Sequence, residues 1–312
     1  MNEKINLRGI DGANPLGFLA AVGVMSVLGP RFEQAKLAWQ LYEGRWQPVL
    51  SGVVLKAGNP PEEALSQELN SLLKTTSDEA FEVNAKLPFP SALFADRLVG
   101  CREHTTQGNR RTADLFAGYG SEVIMDDKGT FGATAFCMVR SGDSAGNGLP
   151  AYALKLRNAC GEKEIWRTLF TAWNYMDEGP SLRWDPVEDR RYALNWHDPS
   201  SQAKRTEKKP VMVGANVLAL EALGLFPSVP NGSRLQTTGF SSLTRKRTVF
   251  TWPIWESWLG IGELRSTVGL AELRKAAPDR VELKRRGIVE IFRSDRIAAN
   301  QYYKNLTPAR PA

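Results

Sequence analysis

Apolar residues along this chain recur at helical spacing in some stretches and alternate with polar ones in others. Asn14-Pro15 opens the clearest helical stretch, LGFLAAVGVMSVLG, where Leu16, Leu19, Ala20, Gly23, Val24 and Val27 form one broad apolar face. Asn14 is placed to cap the free N–H groups of the first turn, Pro15 is tolerated there, and Gly29-Pro30 ends the helix. Such a helix belongs in a core. From Lys36 to Tyr42 the period switches to two, with Leu37, Trp39 and Leu41 on one side. A turn at Glu43-Gly44 leads to a second strand over Pro48 to Leu55, so a hairpin is expected.

Asn59-Pro60-Pro61 then opens a helix running to about Lys74, with Glu62 and Glu63 in the first turn, where the helix dipole favours anions. Residues 77–100 predict a short strand and a helix opened by Pro88 or Pro90. The stretch Glu103 to Gly120 is polar, and SGDSAGNGLP (141–150) reads as a loop. Glu162 to Tyr175 predicts a helix, and Met176 to Asp189 has no regular period. Val211 to Leu223 predicts an apolar helix stopped by Gly224. Arg234 to Phe240 and Thr248 to Trp252 predict strands flanking Arg245-Lys246-Arg247, a hairpin with a basic tip. Ile261 to Lys275 predicts a helix, Ile288 to Phe292 a strand, and the tail from Thr307 is expected to be loose. The fold class that follows is mixed α/β of the α+β kind: an apolar N-terminal helix, a β-hairpin, further helices and short antiparallel strands. No βαβ series of the Rossmann or TIM kind is present.

Charge divides the chain. Residues 1–180 carry 18 Lys/Arg against 21 Asp/Glu, and residues 181–312 carry 22 against 13. This predicts a near-neutral mixed domain over 1–180. A basic domain, or a basic half continuous with the first, follows over 181–312. A basic half favours a polyanionic partner, nucleic acid foremost. Cys101, Cys137 and Cys160 are widely spaced and odd in number, which suits neither a disulfide framework nor a zinc pair, and only His104 and His197 could join them. The start of the chain lacks a signal-peptide pattern, and Leu16 to Leu28 is about half of a bilayer crossing. A soluble cytoplasmic protein with no membrane partner is expected.

Catalytic motifs are sparse. The chain contains no GxxxxGK[ST], GxGxxG or GxSxG sequence. Asp185, Glu188 and Asp189 could together hold Mg²⁺ for phosphodiester hydrolysis, but Arg190 and Arg191 beside them offer simpler salt-bridge partners. His104 near Glu103, and His197 near Asp198, have no nucleophile placed by the sequence. Neither a cofactor nor a metal is therefore expected.

The segment LRWDPVEDRRYALNWHDP (182–199) favours binding. Arg183, Arg190 and Arg191 interleave with Trp184, Tyr192 and Trp196, supplying cations for phosphates and rings for bases. Lys204, Arg205, Lys208 and Lys209 follow, and Arg245, Lys246 and Arg247 form a further cluster. Such groups grip the nucleic-acid backbone without reading sequence; Trp184 and Tyr192 are the stacking candidates. Trp252, Trp255 and Trp258 are assigned to a core or a subunit interface.

LRGIDGANPLGFLAAVGVMSVL, followed by a tryptophan-bearing strand, resembles the N-terminal pattern of large-subunit-like proteins of type I CRISPR systems, in particular subtype I-G (formerly I-U). RWDPVEDRRYALNWHDPS, GANVLALEALGLFP and TWPIWE with its IFRSDRI continuation are similar to motifs of the same group. The likeness extends over most of the chain, which at 312 residues is shorter than typical large subunits. It implies a subunit of an RNA-guided antiviral effector (Cascade) that contacts guide RNA or target DNA beside other effector subunits, with cleavage left to a separate helicase-nuclease. Two alternatives stay open: a metal-dependent nuclease of the same defence system, and a non-catalytic assembly protein docking through Trp252 to Trp258.

Overall fold

The computed structural model describes residues 4–55, 58–106, 110–139, 148–188, 210–244, 247–298 and 304–312, with His104, Thr106 and Pro210 described by backbone alone. In chain order, β1 (Ile5–Asn6), α1 (Pro15–Leu28), β2 (Lys36–Tyr42) and β3 (Arg45–Ser51) come first. Then follow α2 (Pro61–Thr75), α3 (Glu79–Glu82), α4 (Ser91–Thr106), α5 (Arg111–Tyr119), β4 (Gly120–Met125) and β5 (Phe131–Ala133). The middle of the chain holds α6 (Leu149–Ala159), α7 (Glu162–Phe170), β6 (Asp177–Glu178), β7 (Pro210–Val211) and α8 (Val213–Ala222). The last part is β8 (Ser228–Asn231), β9 (Arg234–Thr237), β10 (Phe240–Thr244), β11 (Arg247–Trp255), α9 (Ile261–Val268), α10 (Arg280–Arg285), β12 (Ile288–Ala298), β13 (Lys304–Leu306) and β14 (Arg310–Pro311). Short 3-10 turns cover Pro186–Glu188, Leu223–Leu225 and Ala271–Arg274. Among the described residues every strand pairing is antiparallel, and the molecule is mixed α+β as expected.

α1 begins where its cap predicts: Asn14 Oδ1 accepts from the N–H groups of Leu16 (2.8 Å) and Gly17 (3.2 Å). Its burial exceeds the single predicted face, because only Ser26 and Val27 are partly exposed. α8 covers one side; on another, Phe18 packs on Trp39, Trp252 and Trp255, at centroid distances of 6.1, 5.9 and 6.3 Å. The two helices touch backbone to backbone. A Cβ on Gly23 would stand 1.8 Å from the carbonyl oxygen of Leu218, so glycine is required there. One cluster of buried apolar residues runs from Ile5 to Leu306 and draws on both halves of the chain.

Among the described residues two larger sheets and three two-stranded ones accompany these helices. The first has the order β1-β3-β2, and its Glu43-Gly44 turn takes positive φ at both residues (49° and 76°), as a tight two-residue hairpin demands. The second runs β10-β11-β12-β13, with β14 also on β12. The pairs β4-β5, β6-β7 and β8-β9 are separate two-stranded sheets. Leu37 and Leu259 form a bridge, and the indole N–H of Trp255 donates to the carbonyl of Leu37 at 3.0 Å, tying the first sheet to the second.

Several expectations are revised. β3 spans Arg45–Ser51 rather than Pro48 to Leu55, and Gly52 at φ 74° breaks it beside the backbone of Gln34. Leu41 is exposed, since β2 outruns its cover. Residues 79–82 are helical where a strand is predicted, and α4 starts after Pro90. The predicted strand 234–240 is two strands, because Gly239 at φ 80° turns the chain between β9 and β10. Helix α9 stops at Val268, before Gly269, well short of Lys275. The tail is held: β14 pairs with β12, and the Ala312 N–H donates to Ile291 at 2.9 Å.

Candidate functional site

Residues Ser181 to Pro186, the front of the predicted binding segment, are buried. Arg183 sits at φ 64° and is 7% exposed; its N–H donates to Ser181 Oγ and its carbonyl accepts from the Leu306 N–H. Trp184 is fully enclosed. Its indole N–H donates to the Phe136 carbonyl at 3.0 Å and its ring meets Phe136 edge-on at 5.6 Å. The indole is enclosed within the protein, so Trp184 is a core residue and the stacking role predicted for it is corrected. Arg183 is likewise turned inward.

The same turn carries two buried carboxylates. Asp185 Oδ1 accepts from Asn14 Nδ2 (3.1 Å) and the Val187 N–H (2.9 Å), and Oδ2 accepts from the Tyr175 hydroxyl (2.8 Å). Glu188 Oε1 accepts from Asn216 Nδ2 (2.9 Å) and the Met212 N–H (3.4 Å), while the Ser181 hydroxyl donates to Oε2. All of these partners are neutral. Burial pushes the Glu188 carboxyl up to about 8, and the nearby Asp185 charge adds to the rise. Asp185 is raised as well, chiefly by burial. Asp177 joins from the side: its Oδ2 accepts from the Val213 N–H at the start of α8, and its Oδ1 pairs with Arg167. Carboxylates thus occupy the N-terminal end of α8, which has no side-chain cap of its own.

This polar knot gathers segments that lie far apart in the sequence. Asn14 from LRGIDGANP meets Asp185 from RWDPVE, and Asn216 from GANVLAL meets Glu188. From TWPIWE, the Trp252 indole N–H donates to the Gly12 carbonyl at 2.8 Å. Neither a protein-family model nor a curated protein sequence matches the chain. Among the described residues no group of three or more His, Cys, Asp or Glu could hold a metal ion.

Of the other predicted contacts, Arg190, Arg191, Tyr192, Lys204, Arg205, Lys208, Lys209, Arg245 and Lys246 lie outside the described residues, as do Asp189, Trp196 and His197. The predicted loop at 141–150 is described only from Gly148 onward. Arg247 is described. It stands at the start of β11, paired in register with Thr244, and its Nε donates to Asp295 Oδ1 at 2.7 Å. Trp252 and Trp255 are core residues, whereas Trp258 is 36% exposed with the Lys4 ammonium 5.2 Å from its ring centroid.

Beside Arg247 a groove of about 390 Å³ opens between the β4-β5 pair and β9 to β13. Gln236, Ser242, Thr248, Arg296 and Lys304 line it, with Asp126 on its wall. Arg296 is held across the groove by bonds from Nε to the Ala135 carbonyl (2.7 Å) and from Nη2 to the Cys137 carbonyl (3.4 Å). Residues 135–137 thus anchor both Trp184 and Arg296. Sequence reasoning missed Arg296, Lys304 and the polar knot. One signal was present: Asn216 and Glu221 are the only polar side chains in the otherwise apolar helix α8, and both are buried with partners.

Proposed function

We propose that the protein is a cytoplasmic, non-catalytic nucleic-acid-binding subunit of an RNA-guided CRISPR effector, holding guide RNA or target DNA by its backbone. The groove beside Arg247 carries this reading. Its lining sets the Ser242 and Thr248 hydroxyls beside the positive charges of Arg296 and Lys304, a combination that suits phosphate oxygens. Arg296 and Lys304 belong to residues 181–312, which carry the positive excess of the chain. Enclosed carboxylates whose oxygens already accept from neutral donors do not favour the hydrolytic alternative.

The test is fluorescence anisotropy with labelled single-stranded DNA, duplex DNA and RNA at increasing salt. Binding should weaken by about 10³-fold or more between about 50 and 200 mM salt, as release of several counterions requires. Joint charge reversal of Arg190 and Arg191, or of Arg245 and Lys246, should each weaken binding about tenfold and flatten the salt slope. Affinity indifferent both to salt and to these reversals would remove the proposal. Magnesium-dependent cleavage that is lost in Asp185→Ala would replace it with a nuclease.

A further inference from the structure

On another face, the end of α1, α5, the Leu223–Leu225 turn and α9 enclose a cavity of about 320 Å³. Pro30, Leu115, Leu225 and Ile261 give it apolar walls. Its mouth is cationic. Arg110 Nη2 donates to Asp114 Oδ1 at 3.1 Å, and Arg265 Nη2 donates to Asp114 Oδ2 at 2.8 Å. Arg265 Nη1 also reaches the Gly224 carbonyl at 3.3 Å. Two guanidinium groups therefore share one carboxylate, leaving one positive charge in excess at the mouth. Deeper in, Glu221 on the floor pairs with Arg111 and, behind the lining, with Arg157, which Asp78 also balances, so the floor adds no net charge.

Apolar walls below a cationic rim select an amphipathic anion. The volume lies at the lower end for small-ligand sites, which suits one ring system with its anionic group and not an extended chain. A phosphate offers more oxygens than a carboxylate to two planar forks, and guanidinium planes stack on flat rings. We propose that this cavity is a nucleotide-binding site, separate from the groove beside Arg247, in which the base lies against Leu115, Leu225 and Ile261 and the phosphate accepts from N–H groups of Arg110 and Arg265 other than those that donate to Asp114. The site does not depend on the groove reading.

Isothermal titration of the full chain with thymidine 5′-monophosphate, inorganic phosphate and thymidine tests it. The nucleotide should bind saturably and at least about tenfold more tightly than either fragment, because wall and rim act together. Arg110 is 66% exposed, so Arg110→Glu should fold normally and weaken the nucleotide about tenfold or more. Arg265→Ala should do likewise. Anisotropy of a labelled oligonucleotide should be unchanged in Arg110→Glu. No saturable binding, equal binding of a fragment, or no effect of Arg110→Glu would overturn the proposal. A parallel loss of oligonucleotide binding would overturn the separateness of the site.

Discussion

Glu188 and Asp185 share a low-dielectric corner in which every described partner is a neutral donor, and two full charges there are expensive. Burial raises the Glu188 carboxyl to about 8, whereas in the unfolded chain it titrates near 4.3 (roughly the value in short peptides). Between those two values the folded state keeps a proton that the unfolded state has released. Stability from this group is therefore fully present below the unfolded value and is lost as pH rises towards 8. The slope is at most about 1.4 kcal/mol per pH unit. Glu188→Gln keeps the shape of the protonated acid, with its amide able to donate to Ser181 Oγ. Urea denaturation at about pH 5.5 and pH 8.5 should show that Gln removes much of the decline. An identical decline in both proteins would mean that Glu188 is ionised throughout. Asn14 serves both the start of α1 and Asp185, so Asn14→Ala should cost about 2 kcal/mol in the same measurement, combining loss of a cap with loss of an Asp185 donor. The cap was legible in the sequence. The second bond was not, because 171 positions separate Asn14 from Asp185 and no local pattern links them. The arginines adjacent to Asp185 in sequence suggested ion pairing, whereas its described partners come from Asn14, Tyr175 and its own turn.

Among the elements, those fixed by local chemistry were read most accurately. α1 and β2 have the predicted bounds, because a cap, a proline and a clean period act within a few residues. Elements set by distant partners were misread: α3 packs against α5 and α6, and β14 exists only because β12 offers an edge. Gly23 lies between these cases. As a small residue on the apolar face of α1 it suggested close packing, and the structure shows that the close neighbour is the backbone of α8. Gly23→Ala gains helix propensity of about 1 kcal/mol. Its Cβ would nonetheless stand 1.8 Å from the Leu218 oxygen, and backbone cannot rotate away as a side chain can. The two helices would have to separate, so a net loss of about 3 kcal/mol is expected, read as a lower denaturation midpoint. Gly262→Ala is the control. It lies in the exposed first turn of α9, where an added Cβ would meet nothing within 4 Å, and it should be neutral or slightly stabilising. A Gly23→Ala protein as stable as this control would show that α1 and α8 are less closely apposed.

At the scale of the whole molecule, the change of charge near residue 180 marks where the basic residues lie. It does not mark a break in the core. α1 from the first half is enclosed by α8 and by the β11 aromatics from the second, and the Trp252 and Trp255 indoles donate to carbonyls of Gly12 and Leu37. Trp184 donates in the same way to Phe136. Charge can change along a chain without cost to packing because it resides on exposed side chains, whereas the boundary of a folding unit depends on which buried faces need each other. Separately produced 1–180 and 181–312 chains would each expose an apolar face that its partner covers. Neither half alone should give the near-ultraviolet circular dichroism that immobilised tryptophans produce, and mixing the two should restore it. A 181–312 chain that folds cooperatively by itself would show that the basic half is an independent domain. In that case the shared core would be an interface, and nucleic-acid affinity should survive in that half alone.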